Sequence, residues 1–125
     1  MKAFVILAAA AALAAPAGAN AAGSCFRTND IRNHVIAPDN GIYLRVNTKD
    51  VYRLDTTGSC LAGHFRTDPL IIDPSPVTGM VCSPVDLTLK IGDSGNHGFS
   101  TPCIVSGMRK LTPTEIAALP KKQRP

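Results

Sequence analysis

The chain has 125 residues, with 13 Lys or Arg against 9 Asp or Glu and a formal charge of +4. That length bounds it to one domain of ordinary size, and so modest a charge argues against a dedicated nucleic-acid binder. With no tryptophan, two tyrosines and four phenylalanines, it also has little aromatic surface to offer a ligand.

Residues 1–23 read MKAFVILAAAAALAAPAGANAAG and carry the three parts of a secretory signal: Lys2, an apolar run from Ala3 to Ala15, and small residues after Pro16. The run ends at a proline and falls short of the roughly 20 residues a helix needs to cross the hydrocarbon core. Ala19-Asn20-Ala21 is an A-x-A site, which predicts cleavage after Ala21 and no transmembrane segment in what remains. Ala22-Gly23-Ser24 before Cys25 lacks the leucine of a lipoprotein box and lies well beyond the apolar run, so a lipid anchor is not expected. The 45% hydrophobic content is inflated by this leader, and the exported part is correspondingly more polar. Residues 22–119 are expected to form a single domain, with 120–125 as a disordered basic tail.

All four cysteines, Cys25, Cys60, Cys82 and Cys103, lie beyond the leader. An even count in a short exported chain predicts disulfides and a periplasmic or secreted location. A zinc site would show close pairs such as C-x-x-C, which this spacing lacks, and neither a metal nor a cofactor is expected.

In chain order, Ile31 to Ala37 predicts a strand entering the turn Pro38-Asp39-Asn40-Gly41. Ile42, Leu44 and Val46 alternate with Tyr43, Arg45 and Asn47. A polar turn, Asn47 to Asp50, then leads into an extended Val51 to Asp55, which together make a hairpin. Thr67 to Gly79, TDPLIIDPSPVTG, holds three prolines and reads as a long ordered loop. Val85, Leu87, Leu89 and Ile91 predict one core-facing side of a strand. The glycine-rich GDSGNHG at 92–98 reads as a mobile connection and lacks the Gly-Lys-Ser/Thr ending of a phosphate loop. Cys103 to Arg109 predicts a last strand. Thr112-Pro113-Thr114-Glu115 is a capping box with proline at the first helical position, predicting a short helix before the tail.

These elements predict a mainly β fold: a small curved antiparallel sheet of five to six strands, as a partly open barrel or a sandwich, with a short C-terminal helix. If residues 85–91 and 103–109 pair, Cys82 and Cys103 lie at opposite ends of that pairing. At about 3.3 Å per residue they are too far apart to bond. The expected bridges are Cys60–Cys82 and Cys25–Cys103.

No catalytic group stands out. His34, His64 and His97 lack ligand spacing, no serine sits in a G-x-S-x-G elbow, and the carboxylates show no pairing. The hairpin is the better candidate for binding. With Val46 opposite Val51, Tyr43, Arg45 and Tyr52 share one face with Leu54, a cation between aromatic rings.

The motifs Cys25-Phe26-Arg27, Val51-Tyr52-Arg53, Gly58-Ser59-Cys60, Cys82-Ser83-Pro84-Val85-Asp86 and Pro102-Cys103-Ile104-Val105 follow one another between residues 25 and 111. This order resembles an uncharacterised bacterial family, a domain of unknown function, of small exported four-cysteine proteins. The sequence departs from that pattern at Val85, where glycine is common. The resemblance implies export and a compact cysteine-containing domain, and no activity, substrate or cofactor.

The expectation is therefore a non-catalytic structural or binding domain with an envelope or protein partner and no nucleic acid. The alternatives are a small histidine/aspartate hydrolase, or a secreted inhibitor presenting 67–79 as a proline-stiffened wedge.

Overall fold

In the computed structural model the described residues are 24–74, 76, 78–93 and 98–125; the predicted leader, its cleavage site and His97 lie outside them. Alternation produces the strands. β1 is Phe26–Arg27, β2 Ile31–Ile36, β3 Gly41–Val46 and β4 Asp50–Thr57. β5 is Leu70–Pro74, β6 Met80–Val81, β7 Leu87–Gly92 and β8 Ser100–Lys110, and helix α1 spans Pro113–Ala118. β2-β3-β4-β8-β7-β5 form one curled antiparallel half-barrel sheet, and β1 pairs with β6 in a second small sheet. The expected mainly β fold with its short C-terminal helix is the fold observed.

The concave face of the large sheet holds the main core. Ile42, Leu44 and Val46 from β3, Leu54 from β4, and Leu89 and Ile91 from β7 are essentially inaccessible to water. Phe26 and Val81 of the small sheet pack onto them with Tyr52, and the Phe26 and Tyr52 rings lie 4.8 Å apart. Fully burying each aliphatic side chain of this kind stabilises a fold by roughly 1.5–3 kcal/mol. A second, smaller core lies on the convex face of β3 and β4, where Ala37, Tyr43, Val51 and Leu111 are covered by Ile116 and Leu119 of the helical segment.

The capping box forms as the sequence implies: Glu115 N–H donates to Thr112 Oγ1 at 3.2 Å and Thr112 N–H donates to Glu115 Oε2 at 2.8 Å. Ser83 and Asp86 make a similar reciprocal cap on a 3-10 turn at Pro84–Asp86. That turn corrects the expected strand start, because Val85 lies within it and is 90% exposed instead of lining the core.

The stretch 67–79, read as a loop, contains β5. Leu70 to Pro74 pairs with β7 from Ile91 to Leu87. Its prolines are compatible with a strand because β5 is at the sheet edge and Pro74 is its last residue, so no central ladder bond is lost.

The disulfides are Cys25–Cys82 and Cys60–Cys103, not the expected Cys60–Cys82 and Cys25–Cys103. Antiparallel pairing of Phe26 with Val81 and of Arg27 with Met80 carries Cys25 opposite Cys82, with a Cα separation of 4.1 Å. Pairing of Thr57 with Ile104 ends beside Cys103, and the following turn swings Cys60 to 5.4 Å from it. The bridge at Cys25 also leaves no free thiol there for a lipid. Two disulfides point to an oxidising, extracellular or periplasmic environment.

Residues 120–125 do not trail away as a disordered tail. Lys121–Gln123 form a 3-10 turn, Pro125 is buried, and Arg45 donates from Nε to the Pro125 carbonyl oxygen at 2.7 Å and also from Nη2. Arg66 Nη1 holds the Lys122 carbonyl oxygen at 2.9 Å. Two arginines of the β domain thus strap the end of the chain onto the sheet.

Candidate functional site

The register of β3 and β4 disperses the expected Tyr43, Arg45 and Tyr52 cluster. Val46 pairs with Asp50, not Val51, so a three-residue turn replaces the expected four, with Asn47 at a φ of 56°. Because side chains alternate along a strand, this one-residue shift sends every β4 residue to the opposite face. Tyr52, opposite Leu44, enters the concave core and is 3% exposed, while Tyr43 is 5% exposed on the convex side opposite Arg53. Burial pushes the Tyr52 phenol's pKa up, opposed by Lys110 and assisted by Asp50. Arg45 is occupied with the tail. These three residues are scaffold and form no shared surface.

The residue beside Tyr43 is Arg53. Its Nη1 donates to Tyr43 Oη at 2.6 Å, its Nε to Asp55 Oδ1 at 2.7 Å and its Nη2 to Asp39 Oδ2 at 3.1 Å. Burial opposes the charge, yet the bonds to Asp55 and Tyr43 outweigh it and hold the pKa of Arg53 above the usual arginine value. Gly41 lies directly beneath the guanidinium, where a Cβ would come within 2.7 Å of Nη2. This network ties the β2–β3 turn to β4.

The histidines divide differently. His97 is outside the described residues, whereas His34 and His64 both reach Asp68. His64 Nδ1 donates to Asp68 Oδ2 at 3.0 Å, and His34 Nε2 donates to the Asp68 carbonyl oxygen at 2.7 Å. Asp68 is 2% exposed and also accepts the Phe65 N–H at 2.8 Å. The cluster closes the 61–68 loop onto β2, where Ile36 N–H meets the Arg66 carbonyl oxygen at 2.9 Å. His64 borders a groove of about 480 Å³ whose other walls include Asn40, Arg66 and Lys122. Among the described residues, no group of three or more His, Cys, Asp or Glu is placed to hold a metal.

A second groove, of about 560 Å³, lies between the β3–β4 turn, the end of β8, α1 and the returning tail. Its floor is Leu111, Pro113, Ile116 and Ala117, and its rim carries Lys49, Lys110 and Arg124. One acidic residue, Asp50, also lines it and is engaged with Lys110 Nζ at 3.3 Å. Each wall is fixed by backbone or capping bonds. Leu111 N–H donates to the Val51 carbonyl oxygen at 2.8 Å, and Arg124 donates to the carbonyl oxygens of Leu119 and Ala117, each at 2.9 Å. These acceptors are neutral, so the Arg124 charge remains uncompensated by them. The volume falls within the roughly 300–1,000 Å³ of small-molecule sites, and an apolar floor with a few charged groups is their usual chemistry.

Only the α1 part of this groove was signalled in the sequence, through the capping box at Thr112. The expectation of a disordered basic tail at 120–125 fails because nothing local in the sequence announces that Arg45 captures Pro125. No family model matches the chain, and neither a curated protein nor a solved structure shows significant similarity to it. Among the described residues, no helix is long and apolar enough to cross a membrane.

Proposed function

We propose that the chain is an exported, non-catalytic binding domain whose ligand site is the groove between the β3–β4 turn and α1. The observation that carries this reading is the pairing of an apolar floor with three rim cations on a rigid, disulfide-closed sheet. The leader-like residues 1–21 ending in the A-x-A site Ala19-Asn20-Ala21, the four-cysteine motif order and the oxidised cysteines support delivery to the periplasm or exterior. The partner implied by such a groove is a small molecule; an extended nucleic acid surface has no support in the charge.

The test is a thermal-shift screen of the purified domain against a chemically broad small-molecule panel, repeated on Ala117→Trp. Ala117 is exposed on α1, so the indole fills the groove without disturbing the core. Ligands that raise the melting temperature of the parent and fail to do so in Ala117→Trp are the expected result. A panel without ligands, or ligands indifferent to the tryptophan, would overturn the reading.

One observation favours a second reading, a histidine/aspartate hydrolase: the His64–Asp68 contact beside a groove. It stands second because Asp68 is also spent on the Phe65 N–H, and the described residues lining that groove offer no hydroxyl or thiol nucleophile. Hydrolysis of ester or phosphodiester substrates by the parent, abolished in His64→Gln with the fold intact, would promote it.

A further inference from the structure

We infer that the α1 groove takes a free single-chain anionic amphiphile, with a carboxylate head among Lys49, Lys110 and Arg124 and an alkyl chain laid over Leu111, Ile116 and Ala117. The inference rests on the binding reading above and specifies its ligand. Charge decides the head group. Three cations face the groove against the single carboxylate of Asp50, which is already paired with Lys110, so the rim has a surplus of positive charge that a bound anion would offset.

Recession of the apolar floor decides the form in which the chain arrives. Leu111 is only 4% exposed and Ile116 is half-buried between the β3–β4 turn and the tail, while Pro113 and Ala117 are exposed along the α1 edge of the groove. A surface that inserts into a bilayer must protrude, whereas this one admits a single chain from solution. The volume of about 560 Å³ accommodates one such chain. Burying each methylene contributes roughly 0.8 kcal/mol, so affinity should climb with chain length until the groove is filled.

The probes are hexanoate, octanoate and decanoate below their micellar concentrations, with decanol and decyltrimethylammonium as neutral and cationic counterparts. Binding is followed by calorimetry and by amide shifts at Leu111 and Ile116. The expected result is affinity that rises with chain length and favours decanoate over decanol. It should weaken roughly three- to tenfold in Lys49→Gln/Lys110→Gln and fall further as salt is raised. These two lysines are on the surface, so their loss leaves the fold intact, and Ala117→Trp provides a second, independent block. Equal binding of decanol and decanoate would overturn the anionic assignment while leaving the groove a binding site. Binding of decanoate that survives in Ala117→Trp would overturn both. Association with phosphatidylglycerol vesicles without binding of monomeric decanoate would also overturn the free-amphiphile assignment.

Discussion

Arg53 and Tyr43 face each other across β4 and β3 as direct Cα partners, and Arg53 Nη1 donates to Tyr43 Oη at 2.6 Å. The same guanidinium lies within 2.7 Å of where a Cβ on Gly41 would stand. Gly41→Ala should therefore destabilise the domain by about 1–3 kcal/mol, since a guanidinium held by three bonds cannot easily yield. Arg53→Met should cost about 1–3 kcal/mol by removing the partner of the buried Tyr43 hydroxyl. The two substitutions should be coupled by at least about 0.5 kcal/mol, because alanine at 41 meets no obstacle once Arg53 is gone. Urea denaturation of the two single variants and the double variant measures this; additive losses would contradict the contact.

Proteolysis after Arg27, Arg53, Arg66, Lys90 and Arg109 places each cysteine in its own peptide. A map of the unreduced protein should show Cys25 joined to Cys82 and Cys60 joined to Cys103. The bridges close 57- and 43-residue separations. Because loop entropy grows only logarithmically, paired serine substitutions at either bridge should cost similar amounts, about 2–4 kcal/mol each.

Acid should weaken the fold through two carboxylates that cap turns. Backbone N–H groups of Cys82 and Ser83 hold the Asp86 pKa below its ordinary 3.8. The Thr112 N–H and then Arg109 hold the Glu115 pKa below its ordinary 4.5. The unfolded chain binds these protons more readily than the folded one. The contribution is therefore complete above those ordinary values and is lost as pH falls below them. Asp86→Asn and Glu115→Gln should each flatten the slope of stability against pH in that range, as read by thermal melts from neutral pH to about pH 2. A slope unchanged in both variants would contradict the assignment.

Asp68→Ala removes the acceptor of the Phe65 N–H and of His64 Nδ1. It should cost about 1–3 kcal/mol and speed amide exchange at Phe65. His64→Ala leaves Asp68 its backbone donor and should cost less. If the reverse order were found, His64 rather than Asp68 would organise the 61–68 loop.

Much of the architecture was legible in the residues. Alternation in GIYLRV and DVYRLD marks β3 and β4, the Thr112–Glu115 pattern marks α1, and the even cysteine count implies bridges, since each signal acts within a few neighbouring residues. β5 was hidden because Pro69 and Pro74 read as breakers, and only its edge position makes them harmless. Tyr43, Arg45 and Tyr52 share a face only if the turn is one residue longer than it is; the three-residue turn gathers Ile42, Leu44, Val46, Tyr52 and Leu54 on one face and sends Arg53 and Asp55 to the other, a segregation already legible in the alternation.

The sequence by itself determined the class of fold, the approximate strands, the capped helix and the existence of disulfides, all consequences of local periodicity and turn chemistry. Tertiary structure alone decided the partners of Cys25 and Cys60, the gathering of His34 and His64 around Asp68, and the α1 groove. Those features join segments far apart in the chain. Their geometry depends on how the sheet curls and on where Arg45 and Arg66 fasten the tail, contacts with no signature in any one stretch of residues.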